Sequence, residues 1–182
     1  MSAEPAGASR AGLLLALAGA VLAADQITKA WIVRSLRPGE MVAVVAGWFQ
    51  IRFIVNRGGL FGVFRNLSES WRTVLFTGVP VIASVGLLVF LLRTPASQAM
   101  LRAGLSLILG GAVGNLTDRL RLGHVIDFLD VYWRDHHWPA FNVADSAICV
   151  GVGLILLDAF RGRLTPPMPP SAEPAAPLHE GR

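Results

Sequence analysis

The chain has little charge, a single cysteine and a single lysine. Of its 182 residues, 15% are charged and 53% hydrophobic, with a mean hydropathy of +0.55. A soluble domain carries roughly 25% charge, so this composition points to a membrane protein. The lone cysteine, Cys149, excludes an internal disulfide framework and reads as a small buried side chain in an apolar run rather than a nucleophile. Lys29 is the only lysine, so arginine supplies nearly all the cations behind the net charge of +4. Those arginines gather at the ends of apolar runs, which suits lipid headgroups rather than a nucleic-acid stripe, and no nucleic-acid partner is expected. No H-E-x-x-H motif occurs, and His136 and His137 are adjacent rather than four apart. No metal and no cofactor are expected.

What the chain does have is four apolar runs, at about 11–33, 71–92, 100–117 and 141–160. At 1.5 Å per residue the first is about 35 Å long, enough to cross a bilayer with tilt. It begins like a secretory signal, with Arg10 ahead of the apolar residues 13–22 and small residues at Ala23 and Ala24. Apolar character resumes past residue 29, so a retained helix is expected. No cysteine lies here, so the chain is not itself a lipoprotein precursor. In the second run Trp71 is an interfacial anchor, Arg72 can snorkel and Pro80 should kink the helix. In the third, Gly110 and Gly114 make a face of small residues for close helix packing. Residues 1–10 and the Pro/Ala-rich residues 164–182 are expected to be disordered flanks of one integral membrane domain, 11–163.

Residues 34–69 carry too many charges to span. They read as two strands, 41–45 and 48–55, with Phe49, Ile51, Phe53 and Val55 alternating along the second. A turn follows at 56–59, and Asn66 with Glu69 can cap the next helix. Residues 118–139 form the other long connection. In an up-and-down bundle the first and third connections share one side and the termini the other. The expected fold is an all-α membrane protein, a four-transmembrane-helix bundle with a small extramembrane β element between helices 1 and 2. Arg10, Arg93, Arg102, Arg161 and Arg163 flank the spans on the terminus side, which favours cytoplasmic termini.

Between the last two runs the chain reads G-N-L-T-D-R at 114–119, V-I-D-F at 125–128 and F-N-V-A-D at 141–145. Ionisable groups at membrane depth are costly and mark function by default. Asp127 and Asp145 could meet if the connection folds back. Two carboxylates near 3 Å apart share a proton: one takes a proton from an attacking water while the other polarises a carbonyl, and the pair titrates as a unit. A structural role stands beside this, with Asn142 as an N-cap and Asp145 in the first helical turn. Asp118 beside Arg119 reads as an ion pair, and Asp130 and Asp135 as solvated. Asp25 and Lys29 share a helical face, either as a self-neutralising pair near the interface or as a brace for a polar site built by other spans. A proton-coupled transporter using the acids as a relay is the main rival, although no internal repeat is visible. A presenilin-type protease lacks its G-x-G-D motif here, and a non-catalytic assembly factor is a third possibility.

The motifs D-Q-I-T-K at 25–29, N-R-G-G-L-F-G at 56–62, G-N-L-T-D-R, V-I-D-F and F-N-V-A-D, in that order, resemble the lipoprotein signal peptidases, or signal peptidase II, over roughly residues 13–160. The resemblance implies a bacterial inner-membrane aspartic endopeptidase with cytoplasmic termini, an active site near the periplasmic face and a periplasmic β-cradle. It implies cleavage of diacylglyceryl-modified prolipoproteins just before the lipidated cysteine, in contact with membrane lipid and as a monomer. By motif position Asp127 and Asp145 are the catalytic pair. Asn56, Asn115, Asp118, Arg119 and Asn142 fall on supporting, substrate-positioning places, and Asp25 and Lys29 on structural ones. Gly59 and Leu60 stand where the family usually has two alanines, which bears on loop flexibility and substrate fit rather than on the chemistry.

Overall fold

Alanines continue the first apolar run toward the N-terminus, and helix α1 accordingly covers Ala6–Ser35, starting ahead of the expected residue 11. The computed structural model describes residues 6–58 and 68–164, with side chains over 12–58 and 68–161. The expectations for residues 1–5 and 165–182, for Gly59 and Leu60, and for Asn66 fall outside the described residues. Strands β1 (Met41–Val45) and β2 (Phe49–Asn56) follow α1, then helices α2 (Glu69–Thr73) and α3 (Val79–Arg93). The chain closes with α4 (Ala99–Leu122), β3 (Val125–Trp133), β4 (His136–His137) and α5 (Val143–Leu164). Four helical stretches are long and apolar enough to cross a membrane: Gly12–Ser35, Glu69–Arg93, Ala99–Leu122 and Val143–Arg161.

The second span is helical from α2 through α3 by way of a wide turn. Pro80 offers no N–H, and its ring crowds the turn before it. The backbone responds at Val74–Gly78 with a π-helical turn, where the Val79 N–H bonds the Val74 carbonyl five residues back. The expected disturbance at Pro80 therefore takes this form. Ser68 is the N-cap of α2, its hydroxyl accepting a long bond from the Trp71 N–H at 3.5 Å.

Helix α4 is the centre of the bundle. Half of its apolar window is buried, against 11–17% for the other three spans, which present most of their surface outward. It packs on α1, α3 and α5, with Ala18, Leu91, Leu105 and Leu109 as a buried cluster. Its small residues set the spacing. A Cβ at Gly110 would lie 2.6 Å from the Ala18 carbonyl oxygen, and one at Gly114 would lie 2.8 Å from Asp25 Oδ2. Only glycine lets α1 come close enough to pair its charges with those of α4.

The helix also runs further than the apolar run suggests, to Leu122 rather than residue 117. It ends at Gly123, where φ is +74° and the N–H returns to the Arg119 carbonyl. Asp118 and Arg119 are thus helical, not part of a loop. The chain then reverses directly into β3, a strand where only a long connection was expected. β2 and β3 pair antiparallel, with Asn56 opposite Val125 and Ile54 opposite Asp127. The sheet order is β1-β2-β3-β4, so both long connections lie on one side and build one sheet. Ile32, Phe53, Ile126 and Phe128 form the core beneath it. Finally, Phe141 bridges Leu129, with N–H to carbonyl distances of 2.8 and 3.0 Å in the two directions. That bridge sets the start of α5 beside Asp127.

Candidate active site

Two carboxylates from different elements converge where β3 meets the first turn of α5. Asn142 joins them. Its Nδ2 donates to Asp127 Oδ1 at 2.7 Å, and its backbone N–H donates to Asp145 Oδ2 at 3.2 Å. In return Asn142 Oδ1 accepts the Asp145 backbone N–H at 2.9 Å. This is a reciprocal cap of the α5 N-terminus, so the capping role foreseen for Asn142 and Asp145 is present within the site itself. Asp145 influences Asp127 through its charge rather than through a direct hydrogen bond. An amide, that of Asn142, bridges the two acids.

Each carboxylate has a further amide. Asn56 Nδ2 donates to Asp127 Oδ2 at 2.9 Å, and the Gly58 N–H fixes the Asn56 oxygen at 2.9 Å. Asn115 Nδ2 donates to Asp145 Oδ1 at 2.7 Å. The orientation of Asn115 is dictated from behind, because Lys29 Nζ donates to its oxygen at 3.0 Å. An ammonium can only donate, so the Asn115 amide must turn its NH₂ group toward Asp145.

Lys29 itself is 2% exposed and Asp25 is fully buried. Lys29 Nζ lies 2.8 Å from both Asp25 Oδ2 and Asp118 Oδ2, so its three protons meet Asp25, Asp118 and Asn115. Asp25 Oδ1 accepts the Ala144 N–H at 3.0 Å, satisfying an otherwise unpaired donor in the first turn of α5. Asp118 accepts from Gln26 at 2.9 Å and from the Ile126 N–H at 3.2 Å. The pair thus braces α1, α4, β3 and α5 together. Arg119 lies within electrostatic reach of Asp145, Asp127 and Asp118, with its guanidinium 6.0 Å from the Phe76 ring centre.

Burial pushes the Asp127 carboxyl up to about 6. The Asn56 hydrogen bond opposes this, the Asp145 charge adds to it, and the Asn142 hydrogen bond and the Lys29 charge oppose it again. A carboxyl in that range exchanges a proton near neutral pH, which suits acid–base chemistry.

Every residue singled out in the sequence motifs (Asp25, Lys29, Asn56, Asn115, Asp118, Arg119, Asp127, Asn142 and Asp145) falls in this one network. Gln26 was missed, although an amide at membrane depth beside Asp25 was its signal. Asp130 is a correction. It is 2% exposed rather than solvated, because β3 carries it inward, where Gln50 Nε2 donates at 2.7 Å and His137 Nδ1 lies at 2.9 Å. Asp135 is exposed.

A family model described as signal peptidase (SPase) II matches residues 17–161. The lipoprotein signal peptidase of Syntrophotalea carbinolica is 47% identical over 149 residues, covering 82% of this chain and 91% of that protein. That of Geobacter metallireducens is 47% identical over 140 residues, covering 77% and 85%. A solved bacterial membrane enzyme, determined by the in meso method, superposes with a TM-score of 0.73 at 28% identity, covering 84% of this chain and 90% of that one. The chain belongs to the signal peptidase II family, the membrane peptidases that remove signal peptides from prolipoproteins.

Proposed function

We propose that Asp127 and Asp145 are the catalytic pair of an aspartic endopeptidase that cuts diacylglyceryl-modified prolipoproteins just before the lipidated cysteine. The observation that carries this reading is the meeting of two carboxylates from β3 and α5, both bonded by Asn142, at the end of the bundle where the sheet lies. In the reaction the ionised member of the pair takes a proton from water as the water oxygen attacks the scissile carbonyl. The protonated member donates to the carbonyl oxygen, which stabilises the tetrahedral intermediate. Collapse breaks the C–N bond, and a proton from the pair passes to the leaving amine. The products are the free signal peptide and the lipoprotein with a new N-terminus. The two acids share the work as one titrating unit.

Asn56, Asn115 and Asn142 hold the carboxylates through neutral donors, and neither acid forms an ion pair among the described residues. Arg119 and Asp118 position the substrate and the end of α4, and Asp25 and Lys29 support the framework. The protein acts as a monomer, with cytoplasmic termini and the site near the periplasmic face, in keeping with Arg93, Arg102 and Arg161 on the terminus side. A substrate held in the bilayer by acyl chains would present its scissile bond near the headgroups, the level of an interfacial site.

The test is cleavage of a purified diacylglyceryl-modified prolipoprotein in detergent with a chelator present. Wild type should cut, and folded Asp127→Asn and Asp145→Asn should not. Near-wild-type cleavage by either variant would remove that residue from the chemistry. Loss of wild-type activity on adding the chelator would point to a metal instead.

A further inference from the structure

Beside the carboxylate network, on the outer flank of α4, lies a cavity of about 620 Å³ between the start of the second span and the end of the third. Its lining is strongly basic: Arg57, Arg72, Arg119 and His124 face it, against one carboxylate, Glu69. Arg119 has the site acids for company. Arg57 and Arg72 form no ion pair among the described residues. Arg72 Nε is buried and has no hydrogen-bond partner among the described residues. A buried guanidinium N–H with no acceptor is costly, so an incoming acceptor would complete the arrangement.

The position of the cavity says what carries that acceptor. Trp71, exposed at the start of the second span, marks headgroup depth, and Arg72 is its neighbour. The same cavity is bordered by Phe76, Leu120 and Leu122, and both leucines are exposed at the outer surface of the helix end. Cations inside and apolar side chains at the rim fit an amphiphile. Planar guanidinium groups suit the oxygens of a phosphate, whereas a neutral diacylglyceryl thioether offers them no charge to meet.

We propose that this cavity binds the phosphate of an anionic phospholipid, with its acyl chains lying along Leu120 and Leu122. The lipid is distinct from the lipid on the substrate, and its binding requires neither Asp127 nor Asp145.

The test uses the full chain in an uncharged maltoside detergent. Short-chain phosphatidylglycerol, the diacylglycerol of the same chains and inorganic phosphate are titrated separately, with retained lipid counted by mass spectrometry of the intact protein. Phosphatidylglycerol should bind one per chain, and the diacylglycerol should not. Inorganic phosphate should compete only at concentrations at least tenfold higher. The double variant R57Q/R72Q should weaken phosphatidylglycerol binding at least tenfold. Glu69→Gln, which removes the one opposing carboxylate, should tighten it, so the two variants move in opposite directions. Asp127→Asn should bind like wild type, which separates this result from any failure of the peptidase mechanism. Unchanged affinity in both R57Q/R72Q and Glu69→Gln, or equal binding of the diacylglycerol, would overturn the proposal. Phosphate binding as tightly as the phospholipid would overturn the lipid as its source.

Discussion

Two groups of carboxylates lie side by side in this protein and are treated in opposite ways. Asp25 and Asp118 are held against Lys29 at 2.8 Å each, and they also accept from Gln26 and from the Ala144 and Ile126 N–H groups. Asp127 and Asp145 form no ion pair among the described residues and are held by the amides of Asn56, Asn115 and Asn142. A carboxylate pinned to a buried ammonium can do little but hold parts together. One held by neutral donors can still lose or gain a proton. Asn115 connects the two groups, since its oxygen takes Lys29 and its NH₂ group takes Asp145.

The contrast breaks most sharply under substitution. Asp127→Asn and Asp145→Asn should each lower kcat/KM by roughly 10²–10⁴-fold, the usual worth of a positioned acid–base group. The unfolding temperature of Asp127→Asn in detergent should stay level or rise, because the cost of burying a charge disappears. Lys29→Met should do the reverse in stability. It leaves Asp25 and Asp118 as uncompensated buried charges, at a cost of about 3–5 kcal/mol. Activity should fall as well, through the released Asn115. If Lys29→Met unfolds at the wild-type temperature, the ionic group is not the brace described here.

The pH dependence sharpens the same contrast. The folded-state pKa of Asp127 is raised, so the native state holds this proton more tightly than the unfolded chain does. The associated stability is fully present below the ordinary carboxylate range, near pH 4, and is lost as pH rises through about 6. The full change is about 3 kcal/mol, and Asp127→Asn should abolish it. In kcat/KM an alkaline limb with an apparent pKa near 6 should appear, belonging to the pair rather than to one acid. A profile flat from pH 5 to 8 would contradict the shared-proton mechanism.

Gly114 tests the geometry that keeps the two groups apart. A Cβ there would sit 2.8 Å from Asp25 Oδ2 and 3.3 Å from the Ala144 Cβ. Gly114→Ala should therefore push α1 and α5 away from α4 and cost about 1–3 kcal/mol. Cleavage should fall with it, since the displaced helices carry Lys29 and Asp145.

Much of this was legible in the chain. Long apolar runs declare spans, and acids between them stand out against a background where charge is costly. The ordered motifs singled out the members of the network apart from Gln26. The missing parts were those set by partners far away in sequence. β3 is a run of β-branched and aromatic residues, V-I-D-F-L-D-V-Y-W, whose strand character is fixed by pairing with β2 about 70 residues earlier. Asp130 read as solvated because its partner, Gln50, lies on that same distant strand. The last turns of α4 carry charges that mask a helix in a hydropathy reading, although Gly123 was the stop signal.

Asp130 supplies a third case between the two extremes. It is buried and held by one amide, Gln50, and by one imidazole, His137, which is 43% exposed and stacked on Tyr132 with ring centres 5.2 Å apart. An exposed partner can be replaced by water at little cost, whereas a buried one cannot. His137→Ala should therefore cost only about 1 kcal/mol, and Gln50→Ala should cost more, because its amide approaches Asp130 from the buried side. Neither should approach the effect of Asp127→Asn on cleavage, since Asp130 lies further along β3 than the catalytic end. If His137→Ala silenced the enzyme while leaving its unfolding temperature intact, the division between holding and reacting carboxylates would have to be redrawn to include Asp130.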